Sequence, residues 1–409
     1  MSSSPAADVL IVGASTAGLR AAEAVTRHAP ELRVVVVGKE VHLPYELPPL
    51  SKIALDEVMD VGNLVYPLAD DLKQLGVDFR LGAEVTSLDT SARAVVLADG
   101  QRLSYKALVI ATGCEAVVPP LFAGATNTHT LRRFEDAVAL RRAAADPSRS
   151  VAIVGAGFIG GELASTLAKA GRTVSLIDRA PQPLIRMGAP IADAYTRLHR
   201  DAGVNLLLGV NVVEIAEDEG GRVLVLDDGR RVAADVIMVG VGVRPSLAWL
   251  SSAELTYDNG IVADATLRAG EDVFVAGDIV RWPNARFGAA MRVEHWTNAA
   301  EQGRAAGLNA ARLLRGESRE PFVNVPYFWS DQHGVRMQFA GFIRGDEEIV
   351  EQVTPDGTIY LYRSCDTVTG VFAFDRRSQF VALRAKLRRD LSWADAAQIV
   401  FAGAGSPVG

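Results

Sequence analysis

The stretch SVAIVGAGFIGGELASTLAKAGRTVSLIDR, residues 150–179, decides the fold of this chain. Its first apolar run, residues 151–154, contains β-branched residues and predicts a buried strand. Helix-forming residues follow at 162–170, and a second apolar run at 174–177 predicts another strand, which ends at Asp178. The stretch therefore predicts a strand–helix–strand unit whose first turn is rich in glycine.

The glycines of this turn have the spacing G-x-G-x-x-G, at Gly155, Gly157 and Gly160. The first permits a tight turn, the second lets backbone N–H groups approach a pyrophosphate, and the third lets the helix pack closely on the strand. The amino end of the helix then faces the anion, and an acid about 20 residues further on accepts hydrogen bonds from a ribose. Asp178 is that acid, so the order of features predicts a dinucleotide-binding unit rather than a chance glycine-rich turn.

A second unit of the same kind begins near the amino terminus. Residues 9–12 predict a strand, residues 13–18 read GASTAG, and a helical run to His28 leads into a predicted strand at 34–37. Gly13 and Gly18 keep the first and third glycine positions, whereas Ser15 occupies the second. Two such units predict two dinucleotides, and the usual pair is a flavin bound by the first unit and a nicotinamide bound by the second.

Length and composition are those of an ordinary globular protein. The 409 residues predict two or three domains, and 49% of them are hydrophobic while 22% are charged. A net charge of −7 argues against a nucleic-acid binder, which would have a strongly basic domain. The chain has no apolar run long enough for a membrane span and no signal-peptide pattern at its start, so we expect no membrane partner and a cytoplasmic location.

The two cysteines, Cys114 and Cys365, are far apart in sequence, and neither belongs to a C-x-x-C pair. Flavoproteins that reduce disulfides need a redox-active dithiol beside the flavin. We therefore expect the flavin to pass its electrons directly to an external acceptor. Each cysteine is then interpreted as a small buried or half-buried residue. No metal site is expected.

Three further features each leave two interpretations open. Prolines stiffen the loop at residues 42–52, where Ser51 is a candidate cap for a following helix. The amine of Lys52 in this loop is either held over a cofactor or solvated. The predicted strand at 273–278 ends at Asp278, which either binds sugar hydroxyls or is a plain turn residue. The tail predicts a basic helix that is either a docking patch for an acidic protein or a solvated face, with the cations Arg376, Arg377, Arg384, Lys386, Arg388 and Arg389.

Seven motifs, in order along the chain, resemble the NAD(P)H-dependent ferredoxin and rubredoxin reductases of oxygenase systems. They are LPPLSK (47–52), ATG (111–113), GAGFIGGELA (155–164), GVGVRP (240–245), VFVAGDI (273–279), RVEHWTNAAEQG (292–303) and PYFWSDQ (326–332). The resemblance implies an α/β fold of the glutathione reductase type, with two Rossmann-like dinucleotide-binding domains and a C-terminal α+β interface domain. It assigns residues 1–114 and 246–322 to an FAD-binding domain, 115–245 to an NAD(H)-binding domain and 323–409 to the interface domain.

The resemblance also implies a catalytic pair, in which Lys52 lies near the N5 edge of the flavin and is paired with Glu162. It assigns further residues to the nicotinamide nucleotide. These are Gly155, Gly157, Phe158, Ile159, Gly160, Asp178, Arg179, Arg186, Gly242 and Glu294.

For FAD, the resemblance implies that Arg132 and Asp278 hold the pyrophosphate and ribityl region. Val85 would contact the adenosine part, and Trp296 and Trp329 would flank the flavin ring. The complete set of FAD positions is Gly13, Ser15, Ala17, Gly18, Glu40, Val85, Ala111, Thr112, Gly113, Arg132, Gly277, Asp278, His295, Trp296 and Trp329, together with Lys52.

The chain departs from the family pattern at three positions. Ser15 replaces a glycine with another small residue. Lys39 stands where many members have an acid for the FAD ribose, which leaves Glu40 as the candidate. Arg179 follows Asp178, and whereas the acid repels a 2′-phosphate and favours NADH, the arginine accommodates NADPH. We expect FAD and NADH as cofactors, with NADPH as the alternative.

The implied function is that of an NADH:ferredoxin reductase. Electrons would pass from NADH through FAD to a [2Fe-2S] ferredoxin, expected to be acidic, of a Rieske dioxygenase or cytochrome P450 system, so that the terminal oxygenase is an indirect partner. The alternatives are a reductase of rubredoxin or of a small acceptor, and a redox-sensing flavoprotein of the apoptosis-inducing-factor type. Both a monomer and a homodimer are compatible with the sequence.

Overall fold

The computed structural model of the chain describes residues 7–53, 60–219 and 221–401. These residues form two compact units, each built from three segments of the chain. The first unit contains residues 7–46, 60–115 and 244–326, and the second contains 47–53, 116–243 and 327–401, with residue 220 not described.

Within the described residues the structure has eight α-helices and 25 strands. The helices are α1 (Thr16–His28), α2 (Pro67–Gln74), α3 (Phe134–Ala143), α4 (Phe158–Lys169), α5 (Ala189–Asp201), α6 (Trp296–Arg315), α7 (Arg377–Leu387) and α8 (Trp393–Phe401). The strands are β1 (Ala7–Val12), β2 (Val34–Gly38), β3 (Asp78–Leu81), β4 (Val85–Asp89), β5 (Ala94–Leu97), β6 (Arg102–Ile110), β7 (Cys114–Ala116), β8 (Thr128–His129), β9 (Val151–Val154), β10 (Val174–Asp178), β11 (Asn205–Leu208), β12 (Val212–Asp218), β13 (Gly221–Leu226), β14 (Arg231–Ala233), β15 (Val236–Val239), β16 (Val243–Pro245), β17 (Ile261–Val262), β18 (Val273–Val275), β19 (Val280–Asn284), β20 (Ala289–Met291), β21 (Tyr327–Gln332), β22 (Val335–Gly341), β23 (Glu348–Thr354), β24 (Gly357–Ser364) and β25 (Thr367–Asp375).

The core of the first unit is a parallel sheet in the order β3-β2-β1-β6, with β18 beside the carboxyl half of β6. The antiparallel strands β5 and β4 extend it beyond the amino half of β6. Strands β1 and β2 are almost wholly buried, as their continuous runs of apolar residues predict for strands covered on both faces. The predicted strand–helix–strand order of the first unit is thus confirmed by β1, α1 and β2.

Helices α1 and α6 of the first unit pack against each other in parallel and very closely. A Cβ atom built on Gly303 would overlap the backbone of Ala17, and one built on Gly307, a turn later, would overlap that of Ala21. The register advances in the same direction on both helices, so their amino ends point the same way, and α6 begins before the level at which α1 begins. Two glycines one turn apart in α6 therefore set the separation of the helices.

The second unit contains the other predicted dinucleotide unit, as β9, α4 and β10. Its parallel sheet has the order β11-β10-β9-β15-β8, and a small antiparallel sheet of β12, β13 and β14 follows in the same unit. Helix α4 and strands β9, β10 and β15 bury one apolar core that includes Ile153, Leu163, Leu176 and Met238. The strand–helix–strand order predicted from residues 150–179 is therefore confirmed.

The carboxyl-terminal part of the second unit is an antiparallel sheet in the order β21-β22-β25-β24-β23, against which α7 and α8 pack. Helix α5 contributes Tyr195 and Ile191 to an aromatic core with residues of β22, β24 and β25. The tail of the chain is less basic at its surface than the sequence predicts. Arg376 is only 8% exposed and bonds Thr354 Oγ1 at 2.6 Å, because it precedes α7 in a left-handed conformation that turns its side chain inward.

The cysteines differ from each other in exposure. Cys114 is buried, in agreement with its interpretation as a small core residue, whereas Cys365 is exposed in the turn between β24 and β25. The prediction for Cys365 was wrong because its turn lies outside the sheet that buries its neighbours. In the part of the chain described here, no helix combines the length and apolar character that crossing a bilayer requires.

A buried histidine on α5 makes the second unit sensitive to acid. His199 is fully buried, and burial lowers its pKa from 6.5 to about 4 because a charged imidazolium is poorly solvated there. Its ring also packs edge-on against that of His333, at 4.7 Å between centroids. The folded state therefore holds a neutral His199 that the unfolded chain would protonate below pH 6.5.

We expect Gly303→Ala to lower the free energy of unfolding by about 1–3 kcal/mol, because the added methyl group forces α6 away from the backbone of α1. This loss should appear although alanine is the better helix former by about 1 kcal/mol. Chemical denaturation measures it. The neighbouring exposed variant Arg304→Ala is the control, expected within about 0.5 kcal/mol of the parent; equal stability of the two variants would contradict the packing argument.

We expect the free energy of unfolding to fall as the pH drops from 6.5 towards 4, because His199 is protonated in the unfolded state but stays neutral in the folded state. The sign follows from the depressed pKa in the folded state: the contribution is complete above pH 6.5 and is lost on acidification. His199→Gln should flatten this slope in denaturation curves recorded between pH 4 and 7. His42→Gln, at a half-buried histidine of the first unit, is the control, and an unchanged slope for His199→Gln would refute the assignment.

Candidate functional site

The carboxyl ends of the parallel strands in the first unit form one edge. Val12 pairs with both Val37 and Ile110, and Ile110 pairs with Val275, so the strands end level with one another. Ligands of open parallel sheets bind at such edges. The structure places at or next to this edge the predicted FAD positions Gly13, Ser15, Ala17, Gly18, Glu40, Ala111, Thr112, Gly113, Gly277 and Asp278.

The turn between β1 and α1 requires glycine at two positions. Gly13 has φ +116°, and a Cβ there would overlap the carbonyl of Ala111, while a Cβ on Gly18 would overlap the carbonyl of Gly13. Ser15 has φ −120° and ψ −162°, an extended conformation that serine adopts without strain. Its side chain does not cap α1, and the first turn of α1 has no acidic residue. The amino end of α1 therefore keeps its positive dipole available to an anion.

The amino end of α6 lies beside that of α1. Trp296 Nε1 donates to the hydroxyl of Tyr66 at 2.8 Å, and this hydroxyl lies 3.0 Å from Thr16 Oγ1. Burial raises the pKa of Tyr66, so its hydroxyl stays protonated at neutral pH. The first turn of α6 also has no acidic residue. The amino ends of both helices thus face the same end of the unit.

At this edge a buried side-chain amide has an N–H group that can donate a hydrogen bond to a ligand. Gln302 is fully buried, its Oε1 accepts a hydrogen bond from Gly277 N at 2.9 Å, and its Nε2 has no partner within the described residues. Buried donors normally have partners. The close glycine turn, the two helix ends without acids and this donor together fit a dinucleotide pyrophosphate, as FAD would supply.

Other predicted residues of the first unit lie close to this edge. Glu40 accepts a hydrogen bond from Tyr45 at 2.5 Å, and its backbone carbonyl accepts one from Gly82, which brings the start of β4 and hence Val85 near it. Lys39 instead forms a half-exposed ion pair with Glu84 at 2.7 Å.

Arg292 connects the residues before α6 to Asp278. Its Nη1 lies 2.6 Å from Glu294 Oε1 and donates to the backbone carbonyl of Asp278 at 2.9 Å. His295 follows, and burial lowers its pKa to about 4, so the ring is neutral at pH 7. Glu294, which the resemblance assigns to the nicotinamide nucleotide, thus lies in the first unit.

The turn between β9 and α4 in the second unit repeats the geometry of the first. Gly155 has φ +115°, and its Cβ would overlap the carbonyl of Gly240, while a Cβ on Gly160 would overlap the carbonyl of Gly155. Gly157 precedes α4 and has open space where a side chain would be. The first turn of α4 carries no acidic residue. This turn also fits a pyrophosphate.

Asp178 is fixed at the end of β10 over this turn. Its Oδ2 accepts a hydrogen bond from Ala156 N at 2.7 Å, and its Oδ1 accepts one from Ala180 N at 2.8 Å. Each oxygen keeps a lone pair that a ribose hydroxyl can reach. Several other predicted nicotinamide positions are exposed: Ile159, Arg179, Arg186 and Gly242.

The ion pair implied by the resemblance is present in the second unit. Lys52 Nζ lies 3.0 Å from Glu162 Oε2, and the lysine also donates to the carbonyl of Pro48 at 3.2 Å. Glu162 is 5% exposed on α4, and it accepts further hydrogen bonds from the hydroxyls of Ser51 and, at 2.7 Å, Ser330. Lys52 is therefore held rather than freely solvated. The helix predicted after Ser51 falls on residues 54–59, outside the described residues.

The remaining predicted residues of the second unit lie near its aromatic side chains or before α3. Trp329 stacks on Tyr327 with 5.9 Å between ring centroids, and Phe158 packs edge-on against Phe328 at 4.6 Å. The backbone N–H of Arg132 donates to Asp136 at 2.8 Å, at the start of α3. The roles assigned to the individual site residues, and the three domain boundaries, stay predictions.

Sequence reasoning missed several residues that surround these positions. Ser330 and Gln332 lie in the motif PYFWSDQ, whose polar end is itself a signal for a role in the site. Gln302 lies in the motif that ends at residue 303. Tyr66 and His199 belong to no motif, and nothing in the sequence marks them.

The chain matches two protein-family descriptions. Residues 7–303 match "Pyridine nucleotide-disulphide oxidoreductase", and residues 327–400 match "Reductase C-terminal". Putidaredoxin reductase CamA of Pseudomonas putida is 31% identical over 402 residues, covering 94% of each chain. The ferredoxin--NAD(+) reductase component of the p-cumate 2,3-dioxygenase system of Pseudomonas putida is 36% identical, covering 83% of this chain and 84% of that one.

The fold matches that of a solved relative along nearly its whole length. The crystal structure of the covalent putidaredoxin reductase–putidaredoxin complex contains a chain with a TM-score of 0.88 and 28% identity, covering 98% of this chain and all of that one. The predicted glutathione reductase-type fold and the predicted oxidoreductase class are confirmed. The chain belongs to the pyridine nucleotide-disulphide oxidoreductases, in the group of ferredoxin reductases of oxygenase systems that have a reductase C-terminal domain.

Proposed function

We propose that this oxidoreductase contains FAD and passes electrons from NADH to a [2Fe-2S] ferredoxin of an oxygenase system. The observation that carries the proposal is the combination of two dinucleotide-type turns with a sequence that has no C-x-x-C pair. Cys114 is buried in β7 of the first unit, and Cys365 lies in an exposed turn of the second unit. Electrons from the flavin therefore need an external acceptor. The relatives' names, which include putidaredoxin reductase and dioxygenase ferredoxin--NAD(+) reductase components, favour a ferredoxin as that acceptor.

Each nucleotide has a set of residues suited to hold it. The glycine turn at 13–18 and the amino ends of α1 and α6 would bind the FAD pyrophosphate, with Glu40 at its ribose. The turn at 155–160 would bind NADH, with Asp178 at the adenosine ribose. The corresponding domains are residues 1–114 with 246–322 for FAD, 115–245 for NADH and 323–409 for the interface.

FAD, when bound, supplies a carrier that accepts a hydride from NADH and gives up its electrons singly, as an iron–sulfur acceptor requires. The protein's part is positioning and electrostatics. Lys52 would bring a positive charge to the N5 edge, where reduction adds electron density. Glu162 would hold the ammonium in place through the 3.0 Å ion pair.

NADH is the proposed donor in preference to NADPH. The carboxylate of Asp178 is fixed by two backbone N–H groups, so it cannot turn away from a 2′-phosphate placed at the ribose. Arg179 follows Asp178 and is exposed, and its positive charge would partly offset the repulsion between Asp178 and a 2′-phosphate. A fixed negative charge at the ribose disfavours the phosphorylated nucleotide.

An acidic ferredoxin is the proposed partner because cations remain exposed on and after α7. Arg377, Lys386, Arg388 and Arg389 are exposed, whereas Arg384 lies over the ring of Tyr327 at 3.7 Å. Lys386 Nζ lies 3.3 Å from Asp395 Oδ1, and this carboxylate weakens the attraction between Lys386 and an acidic partner. Complementary charge would raise the rate of encounter with an acidic protein and make it salt-dependent.

We expect the purified protein to carry a flavin spectrum that NADH bleaches anaerobically at lower concentration than NADPH. Addition of an oxidised [2Fe-2S] ferredoxin should restore the flavin spectrum, and steady-state reduction of cytochrome c should depend on ferredoxin. Rapid oxidation by oxygen or quinone together with indifference to ferredoxin would support the small-acceptor alternative instead. A protein that cannot be loaded with FAD would overturn the proposal.

We expect Lys52→Met to slow flavin reduction by NADH about 10- to 100-fold while changing the apparent Kd for NADH much less, because a charge-assisted interaction is worth about 1.5–3 kcal/mol. Stopped-flow reduction over a range of NADH concentrations separates the two quantities. Lys106→Met, which removes an exposed lysine paired with Asp8 at 2.8 Å, is the control. An unchanged limiting rate for Lys52→Met would remove Lys52 from the mechanism.

A further inference from the structure

A continuous set of hydrogen bonds leads away from Glu162 through the carboxyl-terminal sheet to α5. Ser330 Oγ donates to Glu162 Oε1 at 2.7 Å, and Gln332 Nε2 lies 2.9 Å from Ser330 Oγ. Gln332 Oε1 lies 2.8 Å from His199 Nε2, and His199 Nδ1 lies 3.1 Å from His333 Nε2. The first four of these side chains are buried, and His333 is half-buried in the turn between β21 and β22.

The direction of every bond in this set follows from the groups at its two ends. Gln332 Nε2 lies 3.2 Å from the carbonyl of Phe158, which can only accept, so the amide nitrogen must face that carbonyl and Oε1 must face His199. His199 then donates from Nε2, and its Nδ1 accepts from His333 Nε2–H. Ser330 Oγ accepts a hydrogen bond from Gln332 Nε2–H, and its own hydroxyl donates a hydrogen bond to Glu162.

All donors therefore point the same way, from His333 towards the carboxylate. Bonds aligned in one direction polarise one another and strengthen the last donor of the series, which is the hydroxyl of Ser330. The alignment requires a neutral His199, whose Nδ1 must accept, and an Nε2–H group on His333. Burial lowers the pKa of each histidine below its usual value, to about 4 for His199. Both rings can thus keep these tautomers at neutral pH.

The hydrogen-bonded side chains fit against α4 because residue 161 is a glycine. A Cβ on Gly161 would overlap the hydroxyl of Tyr195 and lie 2.5 Å from Gln332 Oε1. Glu162 follows Gly161 directly on α4. The glycine therefore lets the polar side chains of β21 approach the helix that carries the carboxylate.

We infer that Ser330 and Gln332 are positioning residues for the Lys52–Glu162 pair. His199, held by His333, fixes the orientation of Gln332 by donating to its Oε1. The inference rests on the proposed function, because Lys52 is the group that would act on the flavin. Glu162 Oε1 is occupied by Ser330, which leaves Oε2 for Ser51 and Lys52. Without the hydroxyl of Ser330, Oε1 loses its donor, and the carboxylate and the ammonium of Lys52 are held less firmly.

The kinetic test compares Ser330→Ala with Ser330→Thr in FAD-loaded protein. We expect Ser330→Ala to slow flavin reduction by NADH about tenfold, with the apparent Kd for NADH within about threefold, since small misplacements of catalytic groups cost rate rather than binding. Ser330→Thr keeps the hydroxyl and should restore most of the rate. Ser175→Ala removes another buried serine hydroxyl of the second unit, bonded to Asn205 at 3.0 Å, and is the matched control.

A double-mutant cycle separates positioning from general damage. In the Glu162→Gln background, Ser330→Ala should have little further effect on the rate, because the carboxylate that it orients is already gone. Full additivity of the two effects would overturn the inference. So would an equal loss of rate in Ser330→Ala, Ser330→Thr and Ser175→Ala.

A spectroscopic test does not depend on turnover. ¹⁵N NMR of histidine-labelled, FAD-loaded protein should show the Nε2–H tautomer for His199 and His333 at pH 7, among six histidines that substitution can assign. Gln332→Met should shift the His199 signals while leaving those of His42 unchanged. The Nδ1–H tautomer at His199, or no response to Gln332→Met, would refute the aligned set. Failure to bind FAD or to react with NADH would refute the proposed function alone.

Discussion

A buried carboxylate is the constraint on which the second unit depends. Glu162 is 5% exposed, and a negative charge at such a position is costly unless donors surround it. Its donors are the neighbouring residues Ser51 and Lys52 and, far from them along the chain, Ser330, and none of the three lies near α4 in sequence. The loop at 47–53, the helix after the glycine turn and the first strand of the carboxyl-terminal sheet must therefore meet at one point. The same requirement that stabilises the charge also fixes the lysine beside it.

The two dinucleotide turns show one physical solution used twice. Gly13 and Gly155 have nearly equal φ angles, and each faces the carbonyl of a residue just beyond the neighbouring parallel strand, Ala111 in one case and Gly240 in the other. The second position of the motif is less constrained, because Ser15 and Gly157 both have extended backbones. The first and third positions therefore require glycine because a Cβ atom would overlap the backbone. At the second position, the residue type is limited only by how closely the ligand must approach.

Local patterns predicted the parts of the fold that local forces determine. The order of strand, glycine turn, helix and strand at residues 150–179 follows from periodicity and backbone sterics, and the structure confirms it. Arg376 could not be placed from sequence, because its burial depends on a left-handed residue and on partners in β23. Likewise His199 reaches the neighbourhood of Glu162 only through Gln332, a contact between elements that no sequence period encodes. The motifs name candidate site residues, but they do not identify the groups that orient those residues.

The division of the first unit into three segments has a consequence for biosynthesis. Strand β18 covers the carboxyl half of β6, yet it is synthesised only after the whole of residues 116–243. Until then that half of β6 has an unpaired edge, and the nascent chain must close a long loop to cover it. Such an exposed edge invites pairing with other chains during synthesis. The architecture that brings the two nucleotide turns into one polypeptide thus leaves its first-made sheet incomplete until the second turn has been synthesised.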